Sequence, residues 1–234
     1  MSETPISVVV GVGPGLGLAV AKRFARAGHR VLICARDQAK LDDLAEAQPQ
    51  LIRMALDATD PSAVADVFTR IQAEHGPPEC VVFNAGAFEP AGVTDIDPAD
   101  FERCWRVGCF AGFLVGQQAA RSMLEAGRGT ILMTGATASL RGGPNFANLA
   151  SPKFALRAVA QSMARELAPK NIHVAHIIID GQIRAPRYEH LLDQRGADSL
   201  LEPDAIAETY WQLHNQHRSA WTFELDVRPW VEKF

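Results

Sequence analysis

The sequence predicts an α/β fold: a doubly wound parallel sheet of about seven strands, forming a single domain over residues 1–234. Apolar runs of strand length alternate with amphipathic helical stretches along the chain, the pattern of a parallel sheet covered on both faces. A glycine-rich turn joins the first run to the first helix. The length of 234 residues, with 47% hydrophobic and 21% charged side chains, suits one globular unit with a substantial core. No repeat, low-complexity tract or linker divides it.

Ile6-Ser7-Val8-Val9-Val10 is the first strand, and a helix over about Leu16 to Ala27 follows the turn. Gly28 is a natural helix stop, so Arg30 to Cys34 forms the second strand. Helix returns around Ala39 to Ala47, and strand around Leu51 to Leu56. Asp60-Pro61 reads as an N-cap with proline at the first helical position, opening a helix that runs to about His75. Val81 to Phe83 is strand. One long helix is expected from about Pro98 to Glu125, broken only by the small residues Gly108, Gly112 and Gly116. Thr130 to Thr134 is strand, Phe146 to Leu167 helix, and His173 to Ile179 strand. A loop over about 181–200 precedes a helix from Pro203 to about His214. The last strand, Trp221 to Val227, alternates Glu224, Asp226 and Arg228 along one side. Trp221 and Trp230 suit packing or subunit contacts better than a ligand cage.

Composition excludes several function classes. Net charge is −4 with no long basic run, so nucleic acid is not expected as a partner. Met1 to Pro5 lacks the basic start of a signal peptide, and no apolar stretch approaches the roughly 20 residues of a membrane span. Cys34, Cys80, Cys104 and Cys109 form no Cys-x-x-Cys pair, which argues against a redox dithiol or zinc and suits a reducing cytoplasm. The histidines offer no metal-ligand spacing, so no metal is expected.

Gly11-Val12-Gly13-Pro14-Gly15-Leu16-Gly17 lies between a buried strand and a helix, the context that gives a glycine motif its meaning. Such a turn presents backbone N–H groups and the positive end of the helix dipole to a pyrophosphate. No Gly-Lys-Ser/Thr follows, which excludes a P-loop. Arg36 comes directly after the second strand. An acidic residue near this point bonds a ribose 2′-hydroxyl, whereas arginine holds a 2′-phosphate. Arg36 therefore favours NADP(H), with NAD as the alternative because Asp37 adjoins it.

Together these residues resemble the short-chain dehydrogenase/reductase family, from about Ser7 to Gly181. Gly11, Gly15 and Gly17 meet the family's Gly-x-x-x-Gly-x-Gly spacing. Leu56-Asp57-Ala58-Thr59-Asp60 is similar to its adenine-contacting segment, and Phe83-Asn84-Ala85-Gly86 to its Asn-Ala-Gly signature. The resemblance implies a Rossmann fold and a cofactor site made of Gly11, Pro14, Gly15, Leu16, Gly17, Arg36, Asp57, Ala58, Asn84, Ala85, Gly86, Lys153 and Ile183. It also implies a small organic substrate bound by the loop at about 181–200, and a homodimer or homotetramer packed through helices.

The family's catalytic Asn, Ser, Tyr and Lys fall at Gly108, Ala136, Leu149 and Lys153, so only the lysine remains. The Pro-Gly after the sixth strand is here Asp180-Gly181. Carbonyl reduction needs a proton for the forming alkoxide, and leucine neither donates nor titrates. The chain has two tyrosines, Tyr188 and Tyr210, and neither has a lysine four residues later. Tyr188 or His190 in the loop, Thr137 or Ser139 near the cleft, or a water would have to supply the proton, Tyr188 being favoured. The expectation is an oxidoreductase with a non-standard site, with Lys153 and Tyr188 as its catalytic residues. The alternative is a nucleotide-binding sensor or assembly protein without catalysis.

Overall fold

The computed structural model describes residues 4–232; Met1 to Glu3 and the last two residues lie outside it. One seven-stranded parallel sheet runs through the described residues in the order β3-β2-β1-β4-β5-β6-β7. Its strands are β1 (Ile6–Val10), β2 (Arg30–Ala35), β3 (Ile52–Ala55), β4 (Cys80–Phe83), β5 (Gly129–Thr134), β6 (Ile172–Ile179) and β7 (Glu224–Val227). The order reverses between β1 and β4. Their carboxyl ends therefore open a crevice, the place where such sheets bind ligands.

Helices cover both faces because the central strands are apolar on both sides. β1, β4 and β6 are buried at every residue. One core joins Val8, Val10, Val81, Phe83, Ile131 and Met133 to α3 (Pro61–His75), α5 (Ala111–Ala126) and α6 (Ala147–Leu167). The other joins Val9, Ile33, Val82, Leu132 and Ile177 to α1 (Leu16–Arg26), α2 (Gln38–Glu46) and α8 (Pro203–His214). Asp60 caps α3 by accepting from Ser62 N and Ala63 N, ahead of Pro61.

Three elements depart from the sequence expectation. The long helix from Pro98 is three pieces: α4 (Pro98–Trp105), a π-helical turn (Arg106–Phe110) and α5. The last strand begins at Glu224 rather than Trp221, whose ring instead stacks on His173, centroids 4.9 Å apart. Trp230 is 81% exposed and packs no core of this chain. The loop after β6 also holds a turn of 3₁₀ helix (Pro186–Tyr188) and the short α7 (His190–Arg195).

Candidate functional site

The turn after β1 is tight for stated reasons. Gly11 has φ +89°, and a Cβ there would stand 2.4 Å from Ala85 N, so only glycine lets β1 and β4 approach. A Cβ at Gly17 would stand 2.9 Å from Gly11 O, so this glycine lets α1 close onto the turn. At Gly13 and Gly15 a Cβ would meet nothing within 4 Å; these two face open space. Asn84 secures the arrangement by donating from Nδ2 to Gly11 O at 3.0 Å.

Two cavities of about 270 and 720 Å³ share Gly11, Gly13, Asn84 and Gly86 and so meet over the turn. The smaller is lined by Arg36, Asp57, Ala58 and Ala85. The larger is lined by Pro14, Gly15, Leu16, Gly17, Thr134, Ala136, Ile183 and Tyr188. Every residue expected at a cofactor site therefore lines one cavity or the other, except Lys153. That lysine is buried behind the shared floor: its Nζ would lie 4.0 Å from a Cβ at Gly86, and it donates to Thr134 O at 2.7 Å. Burial pulls its ammonium down to about 8.

Arg36 and Asp37 part company. Arg36 lines the smaller cavity. Asp37 turns away to cap α2, accepting from Lys40 N at 3.2 Å, with Lys40 Nζ 3.3 Å from its other oxygen. Asp57 holds a turn, accepting from Thr59 N at 2.9 Å and Thr59 Oγ1 at 2.7 Å.

The hydroxyls near the cleft are mostly committed elsewhere. Ser139 Oγ is buried and accepts from Ala136 N at 3.1 Å. Thr137 Oγ1 donates to Asp180 Oδ1 at 2.5 Å, and Asp180 is also 3.2 Å from the Arg228 guanidinium. Tyr210 is buried on the α8 side with its hydroxyl 2.8 Å from Thr134 Oγ1, and burial raises its pKa. His190 lines neither cavity. Tyr188 alone among these titratable candidates lines the larger one.

Two features escaped sequence reasoning. The first is the Thr137–Asp180–Arg228 link, which ties the ends of β5, β6 and β7; its partners are separated by more than 40 residues at each step and carry no local signal. The second is a half-buried cluster behind the site, with only His176 fully enclosed. Arg157 on α6 holds Glu224 on β7 through two bonds of 2.6 and 2.7 Å, and Glu224 accepts from His176 Nδ1 at 3.0 Å. His176 fills the space behind Gly135, where a Cβ would stand 2.3 Å from its Nε2.

The short chain dehydrogenase family profile matches residues 5–195. The chain belongs to that family. It is 32% identical over 195 residues to the 3-oxoacyl-[acyl-carrier-protein] reductase MabA of Mycobacterium tuberculosis, covering 83% of this chain and 75% of that one. It is 41% identical to a short-chain dehydrogenase from Rhodopseudomonas palustris of known structure, covering 98% and 100% of the two chains with a TM-score of 0.83. A metagenomic short-chain oxidoreductase solved in complex with NADP is 26% identical, with 97% of each chain covered and a TM-score of 0.83. Among the described residues no helix is long and apolar enough to cross a membrane, and no cluster of three metal-ligating side chains occurs.

Proposed function

We propose that this short-chain dehydrogenase is an NADP(H)-dependent oxidoreductase with a non-standard active site, acting on a small organic substrate. The observation that carries the reading is the pair of joined cavities at the switch point, with Arg36 lining the adenosine end while Asp37 is spent as a helix cap. The complex of a 26%-identical relative with NADP supports the same cofactor. NADP(H), when bound, supplies or accepts the hydride. Gly13 and Gly15 leave room for its pyrophosphate, the start of α1 faces that group with N–H donors, and Arg36 meets the 2′-phosphate. Asp57, Ala58, Ala85 and Gly86 wall the adenosine end, and Ile183 the nicotinamide end. Lys153 orients the nicotinamide ribose from behind Gly86.

Gly108, Ala136 and Leu149 occupy the positions of the family's Asn, Ser and Tyr. Leu149 stands one helical turn before Lys153 on α6, and Ala136 opens into the larger cavity without a hydroxyl. Tyr188, which lines the same cavity, then gives the alkoxide its proton. General acid catalysis contributes about 10²–10⁴-fold, so Tyr188→Phe should lower turnover by about that factor with cofactor affinity unchanged. Following reduced-nicotinamide absorbance over a panel of ketones, enones and alcohols tests this. A Tyr188→Phe variant as fast as the parent would remove Tyr188 from the chemistry.

The empty acid/base positions also favour a second reading, a nucleotide-binding sensor without catalysis. Tight NADPH binding with no turnover on any of the panel would select it. In either reading we place the chain in the cytoplasm, because its four cysteines are buried thiols without a disulfide. We also expect a homodimer or homotetramer. Phe113 and Leu124 on α5 and Phe154 on α6 are each 40–43% exposed along neighbouring helix faces, where a second copy would cover them.

A further inference from the structure

The larger cavity has a charge asymmetry that the cofactor reading does not use. No aspartate or glutamate lines it, whereas Arg184 and Arg187 do, both on the segment after β6. Arg184 is already neutralised: its Nε is 3.1 Å from Glu189 and its Nη1 2.6 Å from Glu202. The Glu202 contact ties the loop to the start of α8, and the Glu189 contact lies within the loop. Arg187 has no carboxylate partner among the described residues. Its guanidinium lies over the Tyr188 ring, 4.7 Å from the centroid, which keeps the cation beside the proposed proton donor. The rest of that wall is Ile179, Gly181, Gln182, Ile183, Ala185 and Pro186, so the cavity pairs a largely apolar wall, uncharged apart from the neutralised Arg184, with one uncompensated cation.

Resting on the oxidoreductase reading, we propose that Arg187 selects substrates that carry an anionic group, a carboxylate or phosphate ester, close to the reacting carbon. A guanidinium binds such a group through two parallel N–H···O bonds, and its position beside Tyr188 sets the anion next to the hydroxyl that serves the alkoxide. The cofactor pyrophosphate is the other anion that enters this cavity, and the two sources separate by experiment.

The binary complex with NADPH is titrated with pyruvate, acetoacetate and levulinate, and with the methyl ester of each, following nicotinamide fluorescence. At least one acid should bind about tenfold more tightly than its ester. Arg187→Gln should remove that preference, Arg187→Lys should keep part of it, and NADPH affinity should change less than about threefold in both. Equal binding of acid and ester in every pair, or a preference that survives Arg187→Gln, overturns the proposal. Equal loss of NADPH and acid affinity in Arg187→Gln assigns the arginine to the cofactor and overturns it too. If the parent chain binds no NADPH, the oxidoreductase reading fails separately. Calorimetry of the three acids on the nucleotide-free chain then decides the role of Arg187 by the same comparison.

Discussion

Lys153 occupies a costly position. It is 6% exposed, has no carboxylate partner among the described residues, and gives one N–H to the Thr134 carbonyl. Desolvation disfavours the ammonium and brings its pKa to about 8, so the group is charged below that pH and increasingly neutral above it. With one of its three N–H groups bonded to the Thr134 carbonyl, the buried ammonium still has donors for a ligand to satisfy. NADPH affinity should therefore fall as pH rises through about 8. Lys153→Met should bind NADPH more weakly at neutral pH and show a flat profile across that range. A parent profile without a break near pH 8 would mean that Lys153 does not touch the nucleotide. At this scale the sequence is informative about position: the turn glycines, Asn84 and Arg36 line the cavities where a turn or strand end puts them, and Lys153 lies behind the shared floor in its helix register. Asp180 was visible only as a departure from the family pattern, since its partners Thr137 and Arg228 come from other strands.

The helix expected from Pro98 to Glu125 shows what sequence periodicity misses. Gly108 lies in the π-helical turn, and a Cβ there would stand 2.9 Å from Pro152 Cβ on α6. Glycine and proline are thus a matched pair, letting the two helices close on each other beneath the site. A one-residue shift in helical repeat hides inside an apolar pattern, and the contact that accompanies it comes from a segment about 44 residues away. Gly108→Asn has nowhere to put its side chain. It should destabilise the chain by about 1–3 kcal/mol, lowering Tm by about 2–4 °C per kcal/mol. An unchanged melting temperature would show that α6 yields easily and that the pairing is incidental. The tail strand was overextended for a similar reason: Trp221 and Phe223 have strand-like side chains, but tertiary stacking of Trp221 on His173 takes the first residues out of the ladder.

Across the whole molecule, the parallel sheet and its two covered faces follow from alternating apolar runs. The buried and half-buried histidines do not. His29, His173 and His214 gather at the amino-terminal edge of the sheet, opposite the cavities, with Phe24 and Trp211 between them. His214 is 3.0 Å from Thr130 Oγ1, and His29 is 2.7 Å from Ser7 Oγ. Burial brings both His176 and His214 down to about 4 and lowers His29 and His173 as well. Unfolded imidazoles titrate near about 6.5, so the unfolded chain takes up protons that the folded one refuses. Stability should be full above that pH and drop as pH falls toward about 4, by up to about 1.4 kcal/mol per pH unit for each of His176 and His214. Urea midpoints taken from neutral to acid pH measure this, and His214→Phe, which keeps the ring contacts, should shallow the slope. A midpoint that stays constant over that interval would mean the cluster is reached by water.

The central claim is that the joined cavities hold a 2′-phosphorylated nucleotide through Arg36. Calorimetric titration of the parent and of Arg36→Ala with NADPH and NADH tests it most directly. The parent should bind NADPH about tenfold or more tightly than NADH, and Arg36→Ala should lose that preference while keeping its NADH affinity. Equal affinity for the two nucleotides in the parent, or binding of neither, would contradict the account.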